Sequence, residues 1–225
     1  ESVAQEMLRD TMLSVSSEGK AMIVTTFSSH LARLKSIIAL GHKLNRKIVL
    51  LGRSLDKYVV AGEKLGIINF TNQVTLLRQR DQVEKMLQRI QKEGKEKYLI
   101  VCTGHQGEPK AILSRIARGE LDFKFEQGDV VIFSCQVIPV EINIENRDKL
   151  ERILRSRGVR IFRDVHVSGH GAREDHRELL EMLRPEHIIP IHAEPAKGRM
   201  MAELALQMGF KNTHVMEDGK RLSLK

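Results

Sequence analysis

Residues 21–41 read AMIVTTFSSHLARLKSIIALG. The stretch Ala21 to Phe27 is a short, largely apolar run with β-branched side chains, the mark of a strand covered on both faces. From about Ser29 the period changes. Leu31, Leu34, Ile37 and Ile38 recur at helical spacing, and Gly41 stands near the end, which predicts an amphipathic helix. A buried strand feeding directly into such a helix is half of a strand–helix–strand unit.

The unit repeats along the chain. KIVLLG (47–52) predicts a second strand and SLDKYVVAGEKLG (54–66) its helix, with a glycine stop. GIINF (66–70) reads as a short strand or an extended loop. The stretch 73–94 reads as mostly helical, with Val83, Met86, Leu87 and Ile90 in register. YLIVCTG (98–104) and AILSRIARGE (111–120) form the next pair, then DVVIFSC (129–135) and NRDKLERILRSRG (146–158), and VRIFRDVH (159–166) is a fifth strand. Residues 2–14 place Val3, Met7, Leu8 and Met12 on one helical face. Strands alternating with helices predict an α/β fold, a mostly parallel Rossmann-like sheet with helices on both faces.

The remainder changes character, which predicts a boundary near residue 163: one domain over 1–163 and a second segment over 164–225. That segment opens with DVHVSGHGAREDHRELLEMLRPEHIIPIHAE (164–194). A helix is predicted with Leu179, Leu180, Met182 and Leu183 inward and a stop at Pro185. HIIPIHAE (187–194) reads as a strand interrupted by Pro190, fitting an edge or a strand end. A helix over 196–208 is expected to bury Met200, Met201, Leu204 and Met208, before a hairpin turning at Asp218-Gly219. His170 and His192 are separated by one predicted helix and a returning strand, so the two imidazoles can converge on one metal or phosphate pocket. Ser168-Gly169 places a small-residue turn at the start of that helix, where free N–H groups favour anions. The plainer alternative makes His170 a helix cap and His192 a half-buried strand residue.

In doubly wound sheets, ligands bind beyond the carboxyl ends of the strands. Those ends here carry Ser28, Ser29 and His30; Arg53; Thr103 to Glu108; Ser134; and His166, Ser168 and Gly169. They are rich in hydroxyl, imidazole and guanidinium groups, which suits a phosphorylated ligand, although Ser and Thr at such places also cap helices. Lys and Arg number 37 against 29 Asp and Glu, a net charge of +8. That balance favours polyanionic partners. No apolar run approaches the length of a membrane span and no signal peptide is visible, so a cytoplasmic location is expected. Cys102 and Cys135 lack metal-ligand spacing and read as buried thiols.

VTTFSSHLARL with LGRS, CTGHQGEPKAILSRIARGE, SCQVIP, HVSGHG and IPIHAE, in that order, span nearly the whole chain. Together they resemble the beta-CASP branch of the metallo-beta-lactamase-fold nucleases, and within it the ribonuclease J (RNase J) family in its archaeal form. The resemblance implies a beta-CASP domain followed by the C-terminal part of a metallo-beta-lactamase domain. It also implies a ribonuclease that hydrolyses RNA phosphodiester bonds with two zinc ions, 5′-to-3′ on a 5′-monophosphorylated single strand. Under it His170 and His192 are catalytic and His192 ligates zinc. Ser28, Ser29, His30, Arg53, Ser134, His166, Ser168 and Gly169 are the phosphate-binding set.

One departure is large: the family's HxHxDH run occurs nowhere in these 225 residues. One zinc ligand cannot hold two ions, so the chain alone is expected to bind no catalytic zinc tightly and to be inactive. The missing N-terminal half of the lactamase domain is its expected partner, alongside RNA and a possible second copy. A non-catalytic RNA-binding module and a small-molecule phosphate binder are the alternatives weighed.

Overall fold

The computed structural model describes residues 2–166 and 171–224. The chain runs α1 (Ser2–Ser14), β1 (Met22–Thr25), α2 (Leu31–Lys43), β2 (Lys47–Leu51), α3 (Arg53–Lys64), β3 (Val74–Leu77) and α4 (Arg80–Glu93). It continues through β4 (Tyr98–Cys102), α5 (Ile112–Arg118), β5 (Val130–Phe133), α6 (Glu141–Ser156), β6 (Arg160–Phe162), α7 (Arg173–Leu183) and α8 (Pro195–Gln207). Two compact units divide it, residues 1–167 and 168–225.

The six strands of the first unit form one sheet in the order β3-β2-β4-β1-β5-β6, with every pairing parallel. Side-chain alternation sorts the central strands into two cores. Ile23, Val49, Leu51, Ile100, Val131 and Phe133 face one side, where α4, α5 and α6 cover them through Leu87, Ile116 and Leu154. Met22, Val24, Ile48, Leu50, Val101 and Ile132 face the other, under α1, α2 and α3 through Leu8, Ile37 and Val59. The central strands are buried along their length because both faces are roofed, which is why they read as continuous apolar runs. The expected α/β architecture is therefore present. No helix among the described residues is long and apolar enough to cross a membrane.

Two local expectations differ. Residues 74–77 form β3, not the beginning of the helix that follows. This strand lies at the sheet edge and is only partly buried, so it lacks the apolar run that marked the others. In the second unit, residues 187–194 form no strand; Ile188 makes a single parallel bridge to Thr213. Proline at 190 removes a ladder donor, and His192 turns the backbone left-handed at φ 59. No hairpin is formed at Asp218-Gly219 among the described residues. Leu180, Ile188, Leu204 and Ala205 are buried there, while Met200, Met182 and Leu183, all expected inward, are at least two-thirds exposed.

At the amino ends of the strands, charge is absorbed internally. Arg46 donates to the carbonyls of Ser17, Lys20 and Tyr98. Asp129, fully buried, accepts from the Ala21 and Glu126 N–H groups and pairs with Lys95 at 3.0 Å. Both thiols are free and buried, and burial pushes each up to about 12.

Beyond β4 the chain passes so close to α6 that only glycine fits. A Cβ on Gly107, where φ is +76, would lie 2.4 Å from the Asn146 carbonyl. Backbone cannot yield as a side-chain tip does. Gly107→Ala is therefore expected to lower stability by about 2–4 kcal/mol through left-handed strain plus overpacking. The readout is a lower denaturant midpoint with an unchanged slope.

Candidate functional site

The carboxyl ends of β1, β2, β3 and β4 open onto a cleft of about 1050 Å³. Ser28 enters from the turn after β1, and Gly52, Arg53 and Ser54 from the junction of β2 and α3. Arg78 and Arg80 enter from the junction of β3 and α4, and Thr103, His105, Glu108, Lys110 and Arg115 from the loop after β4 and from α5. Gly52 takes φ 133 at the N-cap of α3. That conformation turns the chain from strand to helix at the cleft wall, where the helix N-terminus presents unpaired N–H groups.

Six cations line the cleft, Arg53, Lys57, Arg78, Arg80, Lys110 and Arg115, against the carboxylates of Asp56, Asp81 and Glu108. Some of this charge is spoken for. Arg78 lies 3.7 Å from Asp56, Arg80 2.7 Å from Glu84, and Arg115 3.4 Å from Glu120. Arg53, Lys57 and Lys110 have no carboxylate within ion-pair distance among the described residues. The surplus suits an anion with several charges.

His105 forms part of the cleft wall. Its ring meets Phe27 edge-on with centroids 4.2 Å apart, and its carbonyl accepts from Arg147 at 2.6 Å. Its side chain is only 12% exposed, with Nδ1 4.0 Å from Glu108. Burial, and to a lesser degree the Arg147 charge, hold the imidazole below its ordinary value, against the opposing pull of Glu108. Arg147 is itself buried over the Phe133 ring at 3.2 Å and pairs with Glu151 at 2.9 Å. Neighbouring Gln106 spans to the loop after β5, donating to the Gln136 carbonyl and accepting from the Ile138 N–H. These bonds fix the cleft wall on the sheet.

The residues nominated from sequence separate into groups. Ser28 and Arg53 line the cleft, and Ser29 and His30 complete the turn that carries Ser28. Ser134 does not present an open hydroxyl. It is fully buried, accepts from Arg33 Nη1 at 2.6 Å and donates to the Val165 carbonyl at 2.9 Å. Arg33, also fully buried, donates to that same Val165 carbonyl at 3.1 Å, and Thr26 donates to the Ser134 carbonyl. A clamp thus joins α2, the ends of β1 and β5, and the strand exit just before His166, which is half-buried. His170, Ser168 and Gly169 lie outside the described residues. His192, in the second unit, is exposed at its left-handed backbone position. From sequence the Arg78/Arg80 pair stands among several basic residues dense enough to contact backbone phosphates, with a solvated helix face as the plainer reading; in the structure both line the cleft.

A doubly wound sheet with a cationic cleft at its carboxyl edge defines an α/β protein whose open strand ends are placed to meet an anion. Residues 19–149 match the family described as "Ribonuclease J, beta-CASP domain", and residues 159–216 match the "Zn-dependent metallo-hydrolase RNA specificity domain". The chain belongs to the ribonuclease J beta-CASP family. It is 42% identical to Ribonuclease J of Methanocaldococcus jannaschii over all of its own length and 51% of that protein. It is 42% identical to Ribonuclease J of Pyrococcus abyssi over 96% of the chain and 49% of the relative. Against Ribonuclease J 1 of Streptococcus pyogenes it is 31% identical over 90% of the chain and 36% of the relative. The chain thus spans about half the length of the archaeal relatives it matches.

The second family's description names zinc, and a catalytic zinc takes three protein ligands. No three His, Cys, Asp or Glu side chains come together to hold a metal among the described residues. The described donor set therefore does not make a zinc site, and His192 is the one nominated ligand in it.

Two outcomes are expected here. Arg33→Met removes the buried charged donor shared by Ser134 Oγ and the Val165 carbonyl and should lower stability by about 2–4 kcal/mol in chemical denaturation. A His whose folded pKa is depressed contributes stability that is full above its unfolded pKa and is lost as pH falls through that value. Lowering pH from about 8 to 5 should therefore destabilise the protein less in His105→Leu than in the unaltered chain, as read from paired denaturation midpoints.

Proposed function

We propose that the chain binds single-stranded RNA through its phosphates for phosphodiester hydrolysis at a zinc centre, acting 5′-to-3′ on 5′-monophosphorylated ends. The observation that carries the reading is the surplus of cations in the cleft on the carboxyl edge of the sheet. In it Ser28 offers a hydroxyl, and Arg53, Lys57 and Lys110 are cations without carboxylate partners among the described residues. Phosphates bound there would displace counterions, giving strong dependence on salt. Phe27, packed on His105 beside the cleft, is the aromatic surface nominated for a base.

Membership of the ribonuclease J family supports hydrolysis of RNA as the chemistry served. The relatives bear that name, and the second matching domain is described by RNA specificity and zinc dependence. When bound, zinc would activate water and stabilise developing negative charge on phosphate oxygens. His192 is assigned as a ligand to it. His170 is assigned as donor or proton shuttle at the scissile phosphate, with Ser168 and Gly169 as phosphate contacts.

Direct binding measurements test the reading. With a 5′-phosphorylated oligoribonucleotide, replacing both Arg53 and Lys110 by Ala should weaken affinity for all sequences alike. It should reduce the slope of log affinity against log salt by about 1–2. An unchanged slope, or competition by a mononucleotide that exceeds competition by the RNA, defeats the proposal.

A further inference from the structure

His187 and His214 lie in the unit 168–225, and neither takes part in the cleft or in the residues assigned to hydrolysis. Their positions are set by backbone. Ile188 donates to the Asn212 carbonyl at 2.9 Å, and His214 donates to the Ile188 carbonyl at 2.8 Å, making the parallel bridge between residues 188 and 213. Leu180, Ile188 and Ala205 form the small core of this unit, with Met201, Met208 and Phe210 packed against it. The bridge thus brings two half-buried imidazoles together from segments 27 residues apart.

His187 Nδ1 lies 3.0 Å from His214 Nε2, and the rings stack with centroids 5.2 Å apart and planes 28° apart. Two nitrogens at that distance cannot both carry a proton toward each other. One must present a lone pair; the second lone pair becomes available when the other ring changes tautomer, giving up the shared proton to solvent as its far nitrogen takes one up. We propose that this pair is a bidentate di-imidazole site for a divalent transition-metal ion of the Ni²⁺, Cu²⁺ or Zn²⁺ class.

The geometry supports chelation. Imidazole nitrogens about 2.0–2.1 Å from one ion, in neighbouring positions at right angles, lie about 3 Å apart. The spacing present is therefore that of a square-planar or octahedral edge, the preference of Cu²⁺ and Ni²⁺. Tetrahedral zinc requires the nitrogens to part by only a few tenths of an ångström. The outer nitrogen is also provided for. His187 Nε2 faces Glu186 Oε1 at 4.0 Å, and Glu186 is largely exposed. A carboxylate beside the second ring nitrogen favours the tautomer that leaves Nδ1 unprotonated for a metal. Water completes the coordination sphere on the exposed side, so exchangeable rather than permanent binding is expected.

The competing account is a stacked, hydrogen-bonded histidine pair with no metal role. Site-resolved NMR separates the two on the unaltered 225-residue chain after chelator treatment. Long-range proton–nitrogen spectra of the imidazole rings are followed as Ni²⁺ is added, then Zn²⁺ in a parallel sample. The proposal expects the His187 and His214 ring signals to change together, saturating at one ion per chain, and the shared N–H···N proton to vanish. His187→Phe and His214→Phe, which keep a stacked aromatic pair, should each weaken that ion's binding by about tenfold or more, while exposed His42→Ala leaves it unchanged. Rings that stay unaltered in excess metal, or binding that survives the double Phe replacement, would overturn the site. The wild-type spectra decide the matter even if a variant fails to fold. Failure here leaves the RNA reading untouched, since that rests on salt-dependent binding in the other unit.

Discussion

The guanidinium of Arg33 lies fully buried under the carboxyl edge of the sheet, and the order of the rim depends on what it holds. It grips Ser134 and the Val165 carbonyl, while Ser134 bonds to Val165 in turn. The ends of β1 and β5 and the chain leaving β6 are thereby fastened to one helix. Hydrogen bonds to a charged donor in a dry environment are stronger than neutral ones, and the Val165 carbonyl takes one from Arg33 as well as one from Ser134. The clamp matters for function because the chain leaves it directly into His166 and the Ser168–His170 stretch.

The two ends of the sheet treat charge in opposite ways. At the amino end, Arg46 is bonded by backbone carbonyls and Lys95 by Asp129, so burial is compensated locally. At the carboxyl end, six cations surround an open cleft, and three of them have no carboxylate within ion-pair distance among the described residues. A uniformly basic protein would not show this asymmetry. Parallel strands roofed on both faces leave only their ends free to meet a ligand. One end is sealed by internal bonds and the other is equipped with solvated charge.

Much of this was legible in the residues because burial on both faces writes itself as continuous apolar runs. β1, β2, β4 and β5 and their helices were readable from Met22–Thr25 onward for that reason, and the family resemblance added their common purpose. β3 was not legible: an edge strand needs no apolar run, and Val74–Leu77 merged with the helical period beyond it. With that strand read as helix, Arg78 and Arg80 stood out only as two of several basic residues able to contact phosphates, with nothing to place them on the cleft. Ser134 was misassigned because a hydroxyl at a strand end looks the same in sequence whether it faces solvent or a buried arginine. The second unit was read least well. Its helices were placed correctly, yet Met182, Leu183 and Met200 point outward, and Pro190 with left-handed His192 replaced the expected strand by a single bridge.

The shortness of the outer strands bears on how copies of this protein behave in a crowded solution. β3 has four residues and β6 three, so each offers few open hydrogen-bonding groups to a foreign strand. Arg78 follows one directly, and Arg160 and Arg163 begin and follow the other. Short borders flanked by like charge repel one another and give little to template a growing fibre. Positive charge at the rims of the sheet therefore also discourages it from zipping onto its own kind.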